Sequence, residues 1–274
     1  MIVRFLLAGV LVGVVGAGCR SAAMPEASGT SSGSVGTATE LTVFAAASLA
    51  GVIDDVETAY AARQPGTALT VATGSSAALA TQIEQGAPAD VFLSADTDNA
   101  QRLVDAGLVA GGAVAFAGNE LTIIVPLGNP AEIGSPADLA RPGVKVIGAG
   151  EQVPITRYAD RLVAGLAAQP GYPDGFEADY RANLVSREDD VKAIVAKIEL
   201  GEGDAGIVYT TDAAASSRVE VVEVPASANV RATYAGVVIA GSARRDAASA
   251  FLAWLSGPGG RAVLGPVGFL APVP

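Results

Sequence analysis

Histidine is absent from the 274 residues, and cysteine occurs once, at Cys19. Without histidine there is no Ser-His-Asp or Cys-His arrangement, no imidazole zinc site and no imidazole acid–base catalysis. Cys19 stands in the leader, so the body of the chain carries neither a disulfide nor a thiolate nucleophile. Aromatic residues make up 5% of the chain, too few for platforms on which bases would stack. Positive charge is scarce: 17 Lys and Arg face 28 Asp and Glu, a formal net charge of −11. The three lysines are Lys145, Lys192 and Lys197, and none stands in a Ser-x-x-Lys arrangement. These deficits exclude the usual nucleophilic hydrolase designs and a basic face for nucleic acid. An anion site, if there is one, must be local, because the overall field repels anions.

Apolar residues are plentiful, at 50% of a chain long enough for one large α/β domain or two lobes. The first 19 residues combine Arg4, the apolar run from Phe5 to Val15, and Gly16-Ala-Gly-Cys19. That run is short for a membrane span and reads as the core of a secretory signal. Ala17-Gly18-Cys19 resembles a bacterial lipoprotein cleavage site, in which the cysteine is lipidated and becomes the first residue. It departs from that pattern at Gly16, where Leu or Val is preferred. Residues 20–39, rich in Ser, Ala, Gly and Thr without period, read as a flexible tether.

Beyond the tether, strands alternate with helices. Leu41-Thr-Val-Phe44 is a short buried strand, followed by Ala45-Ala-Ala-Ser48 and then Leu49, Val52, Ile53, Val56 and Tyr60 at helical spacing. Ala68 to Ala72 is a second strand, leading through Thr73-Gly-Ser-Ser76 to a helix with Leu79 and Ile83. Ala89 to Ser94 is a third, with Asp96 as a helix cap behind it. A second series starts at Val144, with Pro154 suited to the first turn of a helix. Residues 169–183 read as loop, and Ser186 to Asp190 as the opening of a helix carrying Val191, Ile194, Val195 and Ile198. Ala205 to Tyr209 is a strand ending in a phenol. Alternation of this kind implies βαβ crossovers and largely parallel sheets, with ligands at the carboxyl ends of the strands.

Taken singly, Ser48 and Asp96 are caps, Ile155 and Val191 are core residues, and Tyr209 is a half-buried aromatic. Taken together, four helix starts follow strands, at Ser48, Ser75-Ser76, Pro154-Ile155 and Asp190-Val191. A helix start exposes unpaired N–H groups and the positive end of the dipole. With Tyr209 added, the set is one of neutral donors, suited to a fully ionised anion without Lys or Arg.

Thr42-Val-Phe-Ala-Ala-Ala-Ser48-Leu, Gln82-Ile-Glu-Gln-Gly-Ala-Pro-Ala-Asp90-Val-Phe-Leu-Ser-Ala-Asp96, Val153-Pro154 and Gly206-Ile-Val-Tyr209-x-x-Asp212-Ala occur in this order. Over about residues 40–274 the chain thereby resembles the periplasmic molybdate-binding proteins of ABC importers. The resemblance implies a two-lobed type II periplasmic-binding fold with a two-strand hinge, residues 40–121 plus 234–274 forming one lobe and 122–233 the other. It implies oxyanion ligands at Ser48, Ser76 and Tyr209 and at the backbone N–H groups of Ile155 and Val191. Ile155-Thr-Arg is bulkier than the small residues the family often has there. The expected activity is capture of molybdate, with tungstate as a near-isostere, and delivery to an ABC permease by a monomer tethered outside the cytoplasm through Cys19. No cofactor, cationic metal site or enzymatic activity is expected. The alternatives are a receptor for sulfate or another tetrahedral oxyanion, an enzyme acting on small phosphate or sulfate esters, and a surface lipoprotein with no ligand.

Overall fold

The computed structural model describes residues 39–272, so the leader, Cys19 and the tether up to residue 38 lie outside the described residues. The first strand, β1 (Thr39–Ala46), already includes Thr39. It is followed by α1 (Ile53–Arg63), β2 (Thr67–Gly74), α2 (Ser76–Glu84), β3 (Val91–Ser94), α3 (Thr97–Asp105) and β4 (Val114–Asn119). The chain then runs through β5 (Leu121–Pro126), β6 (Val146–Ala149), α4 (Pro154–Ala167), α5 (Phe176–Ala182), β7 (Leu184–Glu188), α6 (Val191–Glu199), β8 (Ala205–Tyr209), α7 (Thr210–Ala214) and β9 (Val219–Val222). It closes with β10 (Ala232–Val238), α8 (Arg245–Ser256) and α9 (Pro258–Leu264).

Two five-stranded sheets result, in the orders β2-β1-β3-β10-β4 and β7-β6-β8-β5-β9. In each, three strands are mutually parallel and the fourth in order is antiparallel to its neighbours, so the sheets are mixed. The chain passes from the first sheet to the second between Asn119 and Leu121, and returns between Val222 and Ala232. Asn229 clamps the passage: its Oδ1 accepts from Leu121 N at 3.1 Å and its Nδ2 donates to Leu121 O at 2.9 Å. The fold is the expected two-lobed α/β architecture.

The strands are apolar on both faces because both faces are covered. Val43 and Leu93 enter the larger core, while Phe44 and Phe92 face Leu79, Ile83 and Leu103 of α2 and α3. Gly206 admits α6 onto β8, since a Cβ there would stand 2.7 Å from Ile194 Cγ2.

Three sequence expectations need correction. Ser48 lies on a single 3-10 turn, Ala47–Leu49, and α1 begins only at Ile53. Residues 169–183 contain α5, a helix of 7 residues that is too short for its period to stand out. Leu184–Glu188 is an edge strand rather than a helix opening; it pairs only with β6 and alternates between half-buried and exposed residues, Val185 among the latter. β4, built largely of Ala and Gly with Phe116, also escapes a reading by β-branched composition.

Candidate anion-binding site

The carboxyl ends of the parallel strands of both lobes meet at one small, nearly filled cavity, with room for about 10 Å³. Ser48, Ser76, Ile155, Val191 and Tyr209 all line it, together with Ala95 and Asp190 among others, and no Lys or Arg does. The two serines come from the first lobe; the other three residues come from the second.

Each serine is already an acceptor. Tyr234 Oη donates to Ser48 Oγ at 2.8 Å, and Ala95 N donates to Ser76 Oγ at 3.0 Å. A hydroxyl has one proton to give, and here the protein's own donors occupy the oxygen. Both serine protons are thereby free to donate into the cavity. Neither Tyr234 nor Ala95 was legible as a site residue. Tyr234 reads as an ordinary strand aromatic; a β-bulge between Tyr234 and Ala235, against β4, coincides with its reach toward Ser48.

Tyr209 ends β8 and is 1% exposed, and its hydroxyl has no hydrogen-bond partner among the described residues. Burial raises its ionisation well above the ordinary phenol value, so the proton stays on the oxygen at neutral pH. A buried donor without an acceptor is costly, and an acceptor in the cavity would remove that cost. Its ring packs edge-on against Tyr158 and Tyr234, at 6.2 and 5.7 Å between centroids.

Ile155 is the second residue of α4 and Val191 the first of α6. Both N–H groups precede the first intrahelical bond and meet no acceptor among the described residues. Pro154 starts α4 without wasting a donor. Asp190 caps α6, its Oδ1 accepting from Ala193 N at 3.0 Å. Behind the phenol lies Asp212, 1% exposed, with Lys192 Nζ 2.8 Å from its Oδ1 but outside good hydrogen-bonding alignment. Burial lifts the Asp212 carboxyl from 3.8 to about 6, against the opposing pull of the Lys192 charge. The set can therefore do one thing well: give several neutral hydrogen bonds to a compact anion.

The family described as bacterial extracellular solute-binding protein matches residues 41–270. This chain belongs to that family. Among solute-binding proteins it is 35% identical over 265 residues to the molybdate-binding protein ModA of Mycobacterium tuberculosis, covering 96% of this chain and 94% of that one. The periplasmic molybdate-binding protein of Azotobacter vinelandii shares the fold, with a TM-score of 0.71 at 23% identity over 85% of this chain and all (100%) of that one. The sulfate-binding protein SubI of Mycobacterium tuberculosis superposes with a TM-score of 0.72 at 25% identity, over 86% and 87% of the two chains.

Proposed function

We propose that this solute-binding protein captures molybdate, and tungstate with it, between its lobes and hands the anion to an ABC permease. The observation that carries the reading is the unpartnered Tyr209 phenol facing the same cavity as two serine hydroxyls whose oxygens are already occupied. The ligands are Ser48, Ser76 and Tyr209 by their hydroxyl protons, and Ile155 and Val191 by their N–H groups. Hydrogen phosphate carries a proton that needs an acceptor, and burying it unmatched costs free energy. Molybdate, tungstate and sulfate are fully ionised near neutrality and need donors only. The 35% identity to a molybdate-binding protein favours molybdate over sulfate.

The residues of the first sheet and its helices, 39–119 with 232–272, act as one lobe, and those of the second, 121–222, as the other. An anion bound to donors of both lobes stabilises the closed form more than the open one and shifts the population toward it. The closed shape is what the permease reads. The chain works as a monomer, without catalysis, outside the cytoplasm, and is anchored through lipid on Cys19. A ligand that binds the folded state alone stabilises it by about 3 kcal/mol at a hundredfold excess over Kd. A thermal-shift panel of molybdate, tungstate, sulfate and phosphate is expected to raise Tm strongly with the first two and negligibly with phosphate. A shift confined to sulfate would replace the proposed ligand, and no shift with any anion would end the reading.

A further inference from the structure

An ion pair beside the cavity joins the two lobes without lining the anion site. Arg157 lies on the first turn of α4, two residues beyond Ile155, and its Nη2 pairs with Asp96 Oδ2 at the start of α3 in the opposite lobe. Its Nε lies 3.3 Å from Asp98 Oδ2. Arg157 is not among the residues lining the cavity.

Asp96 is held rigidly. Its carboxylate is 3% exposed; Oδ1 accepts from Ser94 Oγ at 2.8 Å and Asn99 N at 2.9 Å, and Oδ2 accepts from Asn99 Nδ2 at 2.9 Å. The preceding residue, Ala95, gives its N–H to Ser76 Oγ at 3.0 Å. The loop Ser94-Ala-Asp96 therefore does two things at once. It turns the Ser76 proton toward the cavity, and it grips the helix whose first turn carries the Ile155 N–H. One residue on, Tyr158 Oη accepts from Thr233 N of β10, in the first sheet, at 3.3 Å, which braces the start of α4.

We propose that Asp96 and Arg157 form a clasp across the cleft and are positioning residues for the anion site. The proposal rests on the function proposed above. The clasp holds the α4 N-terminus over the serines of the first lobe, so that donors of both lobes converge on one anion. Arg157 acts by closing the lobes and not by touching the ligand, because its charge is spent on two carboxylates. The segment Ile155-Thr-Arg157 serves both ends of this arrangement: it carries an N–H at the cavity and brings the guanidinium to the rim.

The test compares Arg157→Gln, Asp96→Asn, the double variant and Arg157→Lys with the unmodified protein. Each is checked for folding by circular dichroism, titrated with molybdate by calorimetry, and followed for ligand release by stopped flow. Arg157 is partly exposed, so each single variant is expected to lose about threefold to tenfold in affinity, through faster release with unchanged association. The double variant should lose no more than either single one, and Arg157→Lys should recover part of the loss. Small-angle scattering without ligand should give a larger radius of gyration for Arg157→Gln than for the unmodified protein. Unchanged affinity in both single variants, or losses that multiply in the double, would overturn the clasp. If the unmodified protein binds no oxyanion, the function fails, and scattering alone decides: a larger radius in Arg157→Gln supports the clasp and an equal one overturns it.

Discussion

In the first lobe, β1 leads to the turn with Ser48, β2 to Ser76 at the start of α2, and β3 to Asp96 at the start of α3. The strands at the same places in the second sheet are β6, β7 and β8, which lead to Ile155, Val191 and Tyr209. The strand order is one order used twice, and it brings three loops of each lobe to the cleft. What differs is the kind of donor. The first lobe offers hydroxyls that each already accept one bond, from Tyr234 or Ala95, while the second offers main-chain N–H groups and a phenol with no partner among the described residues. A shared scaffold thus decides where donors stand, and local sequence decides whether a side chain or the backbone does the donating. The third loops differ most, one ending in a carboxylate paired with Arg157 of the other lobe and one in a phenol that lines the cavity.

That contrast can be tested, starting with the largest effect. Behind its phenol the second lobe buries Asp212, whose carboxyl is raised from 3.8 to about 6 by desolvation. The folded state then keeps a proton that the unfolded chain releases between those values. The contribution is neutral below pH 3.8 and becomes destabilising as pH rises through about 6, reaching at most about 3 kcal/mol at about 1.4 kcal/mol per pH unit. Asp212→Asn should remove this slope and raise stability at pH 7, as measured by urea unfolding at pH 4.5 and 7; equal slopes in both proteins would show that the carboxyl is not held protonated.

Next come the serines. Ser48→Ala or Ser76→Ala should weaken molybdate binding by about 1–3 kcal/mol each, because a hydrogen bond to a charge is lost. Each change also leaves Tyr234 Oη or Ala95 N without its acceptor, so stability should fall alongside affinity. Calorimetry with unchanged affinity in both variants would take the first lobe out of the site. The smallest effect belongs to the backbone donors. Ile155→Val and Val191→Ile keep the N–H and should change affinity by less than about twofold, even where repacking changes stability by about 1 kcal/mol. A tenfold change would mean that these side chains, and not the N–H groups, set the cavity.

Much of the fold was legible in the residues. Leu41 to Phe44, Leu121 to Pro126 and Ala205 to Tyr209 announce themselves as strands because both faces are buried and every position can be apolar. Asp96, Pro154 and Asp190 announce helix starts because each satisfies or omits a first-turn N–H. β4, β7 and α5 were not legible. The first is made of small residues that become a strand by pairing with β10, the second has one neighbour, and the third has too few turns to display a period. The five candidate ligands were legible as a set through family resemblance, whereas the residues that orient them were not.

The amino-acid sequence by itself determined which chemistry is excluded: with no histidine and no cysteine beyond Cys19, imidazole and thiolate chemistry are out of reach, while neutral donors stand at helix starts and strand ends. Only the tertiary structure decided which way those donors point. A hydroxyl can give or receive, and for Ser48 the choice is made by Tyr234, 186 residues away along the chain. The clasp between Asp96 and Arg157, 61 residues apart, is likewise a product of folding, since ion pairing needs proximity that no local pattern encodes.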